Sequence, residues 1–332
     1  LRWERTTSLN FGLDITLMKG RLDLSADYYD MTTTDLLMRR VLPQVTGFTS
    51  IMANLGELGN KGFEMTLNSI NVSQRDFTWK SNLVFSLNRN KIKKLFGDIG
   101  TYTLLNEQRE GELPDFTNLW FPGEALDVVW DYDIIGIYQL NEADAAAVYG
   151  LQPGDFKAVD VNNDGKFVNV QDKKFIGYNS PRYRLGIRND FNFMKNFTAS
   201  VFIRSDLGHI GSYSPALNSG YESNDRWNRN VGPVPYWTAD RPNNEYARLN
   251  CIRAVFGGGL MIYKPRSFTR IQDISLTYNL PADLAKRISL NNLQFFGSIR
   301  NLATFTKWPG WDPESGMTPM PRTYTIGLNL SL

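Results

Sequence analysis

Alternation of apolar and polar side chains is the feature that most constrains this chain of 332 residues. In SLNFGLDITL (8–17), Leu9, Phe11 and Leu13 alternate with small or polar residues, and YTIGLNLSL (324–332) has the same period. Successive side chains of a strand point to opposite faces of its sheet. The pattern therefore predicts strands with one apolar and one polar face. It recurs in the segments 21–29, 63–68, 77–88 and 182–193.

Two architectures accommodate such strands. A soluble sandwich buries the apolar face against a second sheet, whereas a membrane barrel turns it to lipid and turns its polar face to a wet lumen. The segments run about 9 to 14 residues, the length of a tilted spanning strand, while soluble strands average about 5 to 6. Aromatic residues such as Tyr28 and Trp79 lie near segment ends, as in interfacial girdles. Short and long connections alternate along the chain, which also favours the barrel.

Composition excludes several classes of protein. The net charge is +2, from 36 basic and 34 acidic residues, so no strong field points to nucleic acid. With one Cys and one His, neither a disulfide framework nor a Cys/His zinc cluster can form within the chain. We expect His209, in a Gly/Ser stretch, to be a solvated loop residue. Glu107, Glu110 and Glu112 share one segment and fix no carboxylate pair across a sugar, so we expect no enzyme.

A resemblance to a known family is carried by particular stretches. These are NLGELGNKGFEMTL (54–67), PGDFKAVDVNNDGKF (153–167), RNLATFTKWPGWDPESG (300–316) and the closing PRTYTIGLNLSL. They resemble the C-terminal barrel half of SusC/RagA-type TonB-dependent outer-membrane transporters. The likeness runs over essentially all 332 residues in the expected order. It implies an all-β, antiparallel transmembrane β-barrel of about 22 strands, filled by an N-terminal plug.

The resemblance also implies a function and partners. A receptor of this kind lies in the bacterial outer membrane and imports an oligosaccharide or peptide nutrient. TonB energises it through the plug, and a SusD-like lipoprotein caps its outer mouth. We therefore expect residues 1–332 to be the C-terminal part of the barrel, with about 10–12 strands and the plug domain outside this chain. The alternatives are a passive structural or adhesion barrel that binds a partner through its loops, and a soluble calcium-binding sandwich.

One loop has the spacing of a calcium site. In DVNNDGKFVNVQD (160–172), carboxylate and amide side chains alternate at Asp160, Asn162 and Asp164, and a glycine follows at the sixth position. Calcium prefers oxygen ligands at such positions, with a backbone carbonyl at the seventh, here Lys166. The closing carboxylate, Asp172, comes one residue late, so a local bulge is required. The alternative is a loop held by Asx turns. We expect Phe167 to pack inward, and no organic cofactor.

Two further groups of residues are candidates for substrate contact. We expect long extracellular loops at about 140–180 and 209–266, and their aromatic side chains could stack on sugar rings or simply pack the loops. Charged residues that alternate with the apolar positions should face the lumen. The aromatic candidates are Trp120, Trp130, Tyr221, Trp227, Tyr236 and Trp237. The lumenal candidates are Asp14, Asp23, Asp27, Glu64, Lys80, Arg182, Arg184, Arg188 and Arg204.

Overall fold

A single antiparallel sheet of nine strands dominates the computed structural model, which describes residues 1–42, 44–213, 235–257, 259–316 and 318–331. Each strand pairs with its neighbour along the chain, except where two long segments intervene. The strands of this sheet, in spatial order, are β1 (Arg5–Leu17), β2 (Leu22–Val41), β3 (Ser50–Ser73), β4 (Phe77–Lys94), β11 (Tyr183–Phe193), β12 (Phe197–Leu207), β15 (Phe268–Asn279), β16 (Asn292–Thr306) and β17 (Thr323–Ser331).

The remaining elements are short. The other strands are β5 (Ile99–Leu104), β6 (Glu107–Glu112), β7 (Val128–Tyr132), β8 (Ile134–Ile137), β9 (Phe156–Ala158), β10 (Lys173–Tyr178), β13 (Ile210–Ser212) and β14 (Tyr263–Pro265). The helices are α1 (Ala143–Val148), α2 (Asn169–Asp172), α3 (Ala282–Arg287) and three short 3-10 turns at Gln44–Thr46, Leu140–Glu142 and Ala254–Phe256. None of the helices in the described ranges has the length and apolarity needed to cross a membrane.

The strand register gathers the apolar side chains on one face of the sheet. Leu13 lies opposite Ala26, and Ala26 lies opposite Met65. Met65 lies opposite Phe85, which in turn lies opposite Leu185. Residues directly opposite each other in an antiparallel pair share a face. One apolar row therefore crosses five strands without interruption, as the alternation predicts for the lipid-facing side of a barrel.

The opposite face of the sheet is polar. Asp27 lies opposite Glu64, and Glu64 lies opposite Ser86. Ser86 pairs with Arg184, which pairs with Asp206. The register thus confirms that the predicted lumenal charges share one face. Asp14, Asp23, Lys80, Arg188 and Arg204 belong to the same face, whereas Arg182 precedes β11 and its guanidinium lies 3.8 Å from the centre of the Tyr178 ring.

The described wall contains nine strands, fewer than the ten to twelve expected, because several β segments pair locally. β5 pairs with β6, β7 with β10, and β8 with β9, each in a separate two-stranded sheet. The stretch 133–139, which directly precedes the loop expected at about 140–180, contributes β8 to one of these local sheets. The first long segment consequently extends from 95 to 182, rather than from about 140 to 180. In the described residues β1 and β17 each pair on one side only, so the sheet is an open part of a barrel wall.

The two faces predict opposite responses to substitution. Leu13→Arg places a charge on the apolar face near the middle of β1, where it should cost about 2–4 kcal/mol of folding free energy in a bilayer. Asp14→Asn, on the polar face, should change that free energy little. Urea unfolding of the full-length receptor in lipid vesicles measures both. Equal effects of the two substitutions would contradict the assignment of the faces.

Candidate functional site

Residues 95–182, 208–213, 235–257 and 259–267 form an outer subdomain on the long-loop side of the sheet. Its main hydrophobic core includes Tyr132, Phe156 and Phe256, each 1% exposed. A second cluster surrounds Phe121 and Trp130. Because local sheets and aromatic clusters bury these segments, the outer subdomain is a folded layer and holds its polar side chains in defined positions.

The predicted calcium loop begins at a carboxylate that is already hydrogen-bonded. Asp160 is 8% exposed. Its Oδ1 accepts a hydrogen bond from the Asn163 backbone N–H at 2.7 Å, and its Oδ2 accepts one from the Gly165 backbone N–H at 2.9 Å. The Tyr149 hydroxyl also donates to Oδ2, at 3.1 Å. The Asp160 carboxylate therefore organises the turn around Gly165, whose φ of 78° suits glycine.

The middle of the loop is held by its own side chains. Asn162 Oδ1 accepts from the Asp164 backbone N–H at 3.1 Å, and Asp164 Oδ1 accepts from the Lys166 backbone N–H at 2.8 Å. Asn162 Nδ2 donates to Asp164 Oδ2 at 3.0 Å. These are the Asx-turn bonds of the alternative interpretation. Asp164 itself remains exposed to solvent.

Asp172 closes the loop from α2. Its carboxylate is fully buried, and its two oxygens accept from the Val161 and Val168 backbone N–H groups at 3.0 and 2.7 Å. Burial raises the pKa of Asp172, and the nearby Asp160 and Asp164 carboxylates raise it further, although the two backbone hydrogen bonds act in the opposite direction. The one-residue displacement of Asp172 thus does not prevent it from reaching back to the start of the loop.

Phe167 packs inward, as predicted. Its ring stacks on Tyr149 with centroids 4.9 Å apart, and it also contacts Tyr132 and Phe256. The loop is therefore attached to the main core of the outer subdomain. In the described parts of the chain, no group of three or more Asp, Glu, His or Cys side chains is arranged to hold a metal ion. Calcium at this loop, with its Asn and carbonyl ligands, stays a prediction.

The aromatic candidates divide by burial. Trp130 is 4% exposed and packs against Phe121, while Trp237 is 7% exposed and donates from Nε1 to Gln139 Oε1 at 2.9 Å. These two rings pack the loops in this conformation. Trp120 is half-buried and Tyr236 is 41% exposed, so the prediction of substrate stacking now rests on them. Tyr221 and Trp227 lie outside the described residues.

A polar groove of about 530 Å³ lies in the outer subdomain, and Trp237 bonds to one of its residues, Gln139. Its walls include Gln139, Asn141 and Asn244, with the Lys157–Glu142 ion pair at one side. Asn244 Oδ1 accepts from the Ile137 backbone N–H at 2.7 Å, which fixes one wall. The volume suits a small ligand, and amides and a neutral ion pair suit hydroxyl groups. No sequence signal marked this groove, because its residues come from segments about 100 positions apart.

His209 is buried, so the expectation of a solvated histidine was wrong. It is 7% exposed, and its backbone carbonyl accepts from the Arg266 N–H at 3.0 Å. This bond pins it at the junction between β12 and β14. Burial lowers the pKa of His209, and the Arg266 charge lowers it further. Asp206 raises the pKa of His209, without outweighing burial and Arg266.

The 307–316 loop, which follows β16, folds onto the polar face of the sheet. Arg270 is 0% exposed and donates to Asp312, to Glu314 at 3.0 Å and to Thr304 at 2.9 Å. Arg204 donates to the same Glu314. Arg204 and Arg270 hold the pKa of Glu314 below its usual value. The loop is thus attached to β12 and β15 through charge pairs that the sequence analysis did not identify, and of these the Arg270–Asp312 pair is buried.

The same loop also enters the core of the outer subdomain. Trp308 is 6% exposed and belongs to the main core. Its ring meets Tyr213 edge-on, with centroids 5.4 Å apart, and lies 5.4 Å from the Arg266 guanidinium. Trp311, three residues later, is 74% exposed. The 307–316 loop therefore connects the outer subdomain to the polar face of the wall.

An open sheet with one apolar and one polar face, topped by a folded outer layer, defines part of an outer-membrane β-barrel. Residues 1–302 match the family described as TonB dependent receptor-like, beta-barrel. The chain belongs to that family and fits a SusC/RagA-type barrel portion. The relatives found are receptors, in agreement with the expectation that the chain is not an enzyme.

Two curated relatives illustrate the extent of the match. TonB-dependent receptor P3 of Formosa agariphila is 32% identical over 353 residues, which cover 99% of this chain and 34% of the relative. TonB-dependent receptor SusC of Bacteroides thetaiotaomicron is 27% identical, over 100% of this chain and 32% of the relative. The chain therefore spans about a third of the length of these relatives.

A solved structure of the RagAB peptide transporter has the same fold. It superposes with a TM-score of 0.71 at 21% sequence identity, over 99% of this chain and 36% of that one. At this identity the likeness supports the fold and the incomplete wall.

The buried charge pair of the 307–316 loop gives a quantitative prediction. Asp312→Ala leaves Arg270 without its buried partner and should destabilise the receptor by about 3–5 kcal/mol. Asp98→Ala removes the partner of Arg40, and both of those side chains are more than a third exposed, so it should cost less than about 1 kcal/mol. Denaturant unfolding of the two variants makes the comparison. A loss for Asp312→Ala as small as that for Asp98→Ala would refute a structural role for the pair.

Proposed function

We propose that the full-length receptor imports an oligosaccharide across the outer membrane by a TonB-dependent mechanism. The observation that carries the proposal is the nine-stranded wall itself, in which strand pairing gathers apolar residues on one face and polar or charged residues on the other. Such a wall suits a water-filled lumen through lipid. Family membership supplies the link to TonB. A peptide substrate is the alternative within the same mechanism, since the RagAB transporter of similar fold carries peptides.

A neutral oligosaccharide is favoured by the groove of the outer subdomain. Gln139, Asn141 and Asn244 offer amide groups, and Lys157 is neutralised by Glu142. Amide donors and acceptors match sugar hydroxyls, and no net charge selects an ion. Tyr236 offers a partly exposed ring close in sequence to Trp237, which bonds to the groove residue Gln139.

We propose further that a SusD-like surface lipoprotein covers the outer subdomain. The support is that this layer is folded and carries exposed apolar side chains, among them Ile135 at 51%, Leu140 at 59% and Val148 at 65%. A folded surface with such side chains suits a protein partner. In the other candidate function, a passive structural or adhesion barrel, the same surface binds a partner without transport.

Energy dependence separates import from the passive barrel. In the native bacterium, uptake of a fluorescent neutral oligosaccharide through the full-length receptor should stop when a protonophore collapses the energy supply to TonB. It should also stop on deletion of the receptor gene and return on complementation. Uptake that persists with the protonophore would favour the passive barrel. Energy-dependent uptake of labelled peptides, with none of the oligosaccharide, would show that the substrate is a peptide.

The stacking residue can be tested with a matched control. Tyr236→Ala should lower oligosaccharide uptake by roughly fivefold, the equivalent of about 1 kcal/mol for one aromatic contact. Tyr28→Ala removes a tyrosine of equal exposure, 41%, from the lipid-facing side, and should leave uptake per inserted receptor unchanged. If both variants transport like the wild type, Tyr236 does not touch the substrate.

We also propose a structural calcium ion at the Asp160 loop. Asp160, Asn162, Asp164, the Lys166 carbonyl and Asp172 would hold it. The support is that Asp172 reaches Val161 at the start of the loop, and that an extracellular address supplies calcium. The ion would stiffen the loop above the Phe167 cluster.

Calcium binding should be weak and specific to the loop carboxylates. We expect a dissociation constant of about 10⁻⁴ to 10⁻³ M, so a thirtyfold excess over it should stabilise the receptor by about 2 kcal/mol. Asp164→Asn should abolish this gain, measured as a shift of the unfolding transition. Asp144→Asn, in the first turn of α1, should retain it. An equal shift in wild type and Asp164→Asn would exclude the site.

A further inference from the structure

The outward face of β3 and β4 is apolar along most of its length and becomes basic towards the long-loop side. On β4 the outward side chains run from Phe77 to Leu87 and are followed by Arg89, Lys91 and Lys93. β3 runs in the opposite direction, so on its outward face Lys61 lies above Phe63 and opposite Arg89. No register shift interrupts the pairing from Lys61–Phe63 to Leu87–Lys91, so Lys61, Arg89 and Lys91 share the face of the lipid-facing residues. Lys93 lies at a register shift, and its Nζ donates to Thr32 on that same face at 2.7 Å. We call Lys61, Arg89, Lys91 and Lys93 the outward basic strip.

The strip lies at the height of lipid headgroups. From Phe77 to Leu87 the strand rises about 33 Å, which a tilt of about 40° reduces to the roughly 25 Å height of the apolar band of a barrel. Arg89 and Lys91 then lie about 5 and 10 Å above that band. The headgroup layer adds about 5 to 8 Å on each side of the hydrocarbon, and long basic side chains reach across such distances.

The charge of the strip is only partly neutralised. Lys61 pairs with Asp30 at 2.7 Å, while Lys93 and Lys94 share the single Glu57, each at 3.5 Å. These three basic residues and two acidic residues leave one positive charge.

Arg89 and Lys91 add two more. In the described residues neither has a carboxylate within salt-bridge distance; Arg89 donates to the Asn88 and Arg182 carbonyls, and its guanidinium lies 4.7 Å from the centre of the Tyr183 ring. The positive charge of Lys91 acts to lower the pKa of the half-buried Glu124. Burial has the larger effect and raises that pKa overall.

The outward ends of β11, β12 and β16 differ, whereas Arg5 on β1 shares the outward face and pairs with Asp35 at 3.5 Å. At the same side of the sheet, β11 presents Tyr183, β12 presents Leu207 and β16 presents Phe305 on the outward face. All three are exposed, and none is charged. The basic side chains without a carboxylate partner therefore lie on β4, and β11, β12 and β16 do not extend them into a ring. A localised excess of positive charge directly above the belt matches an anionic lipid headgroup.

We propose that the outward basic strip binds the phosphate of an anionic lipid in the outer leaflet, with the acyl chains lying on the apolar belt below. Arg89 is oriented by its stacking on Tyr183 and can present two N–H groups to phosphate oxygens. Lys61 and Lys91 lie on either side of it as point charges. The acyl chains would contact Phe63, Phe85 and Leu87. This binding is independent of the proposed import.

The test uses native mass spectrometry of the full-length receptor in a neutral detergent. Phosphatidylglycerol, which carries a negative phosphodiester, is titrated in parallel with phosphatidylcholine of the same acyl chains. The wild type should bind phosphatidylglycerol more tightly. The double variant Arg89→Gln/Lys91→Gln should lose roughly 25-fold of that preference, at about fivefold for each basic side chain near an anionic headgroup.

A control of equal charge change comes from the other face of the same part of the sheet. Lys80 on β4 and Arg184 on β11 face the polar side and are exposed. Lys80→Gln/Arg184→Gln should keep the lipid preference within twofold. Heat-modifiable mobility on gels verifies insertion of every variant. If the Arg89/Lys91 double variant fails to insert, Lys91→Gln alone, at an exposed site, should still lose about fivefold.

Three results would overturn the proposal. The first is equal preference in the wild type and the Arg89/Lys91 variant. The second is an equal loss in the Lys80/Arg184 control, since net charge alone would then explain it. The third is displacement of bound phosphatidylglycerol by millimolar inorganic phosphate, since that would indicate a site for free phosphate with no contribution from the acyl chains.

Discussion

Inside a bilayer no water is available to a backbone N–H or C=O group, so every such group must pair within the sheet. This requirement governs the rest of the structure. It makes each wall strand pair with its neighbours along its length, and a register that is shared from strand to strand then fixes which side chains face lipid. The row from Leu13 through Ala26, Met65 and Phe85 to Leu185 is the result. A slip by one residue in any strand would put its charges into the hydrocarbon.

The sequence was sufficient to predict the wall because the pattern it depends on is local. Period-two alternation places Leu9, Phe11 and Leu13 on one face whatever the partner strand is, and the register agrees. The same local character made Phe167 predictable, since it directly follows a tight turn. In the Asp160 loop, the hydrogen bonds of the Asx turns also arise between near neighbours, and these were anticipated as the alternative to calcium.

The outer subdomain was less predictable because its contacts join distant segments. The stretch 133–139 is apolar enough for a wall strand, but β8 pairs with β9 instead, and nothing in its own residues distinguishes the two outcomes. His209 lies among small residues that suggest an exposed loop, yet β14 and Arg266 cover it. Trp130 and Trp237 resembled ligand platforms for the same reason. Arg270 lies 42 positions before Asp312, so their pairing has no local signature.

The 307–316 loop has a mechanical consequence. Trp308 is part of the core of the outer subdomain. A few positions later, Asp312 forms an ion pair with Arg270 in the wall, and Glu314 pairs with both Arg270 and Arg204. Two prolines, Pro309 and Pro313, restrict the backbone between and beside these contacts. A short loop with a restricted backbone transmits a displacement at one end to the other end with little loss. If a bound protein tilts the outer subdomain, the tilt must therefore displace β12 and β15. The outer mouth and the lumen surface then move together.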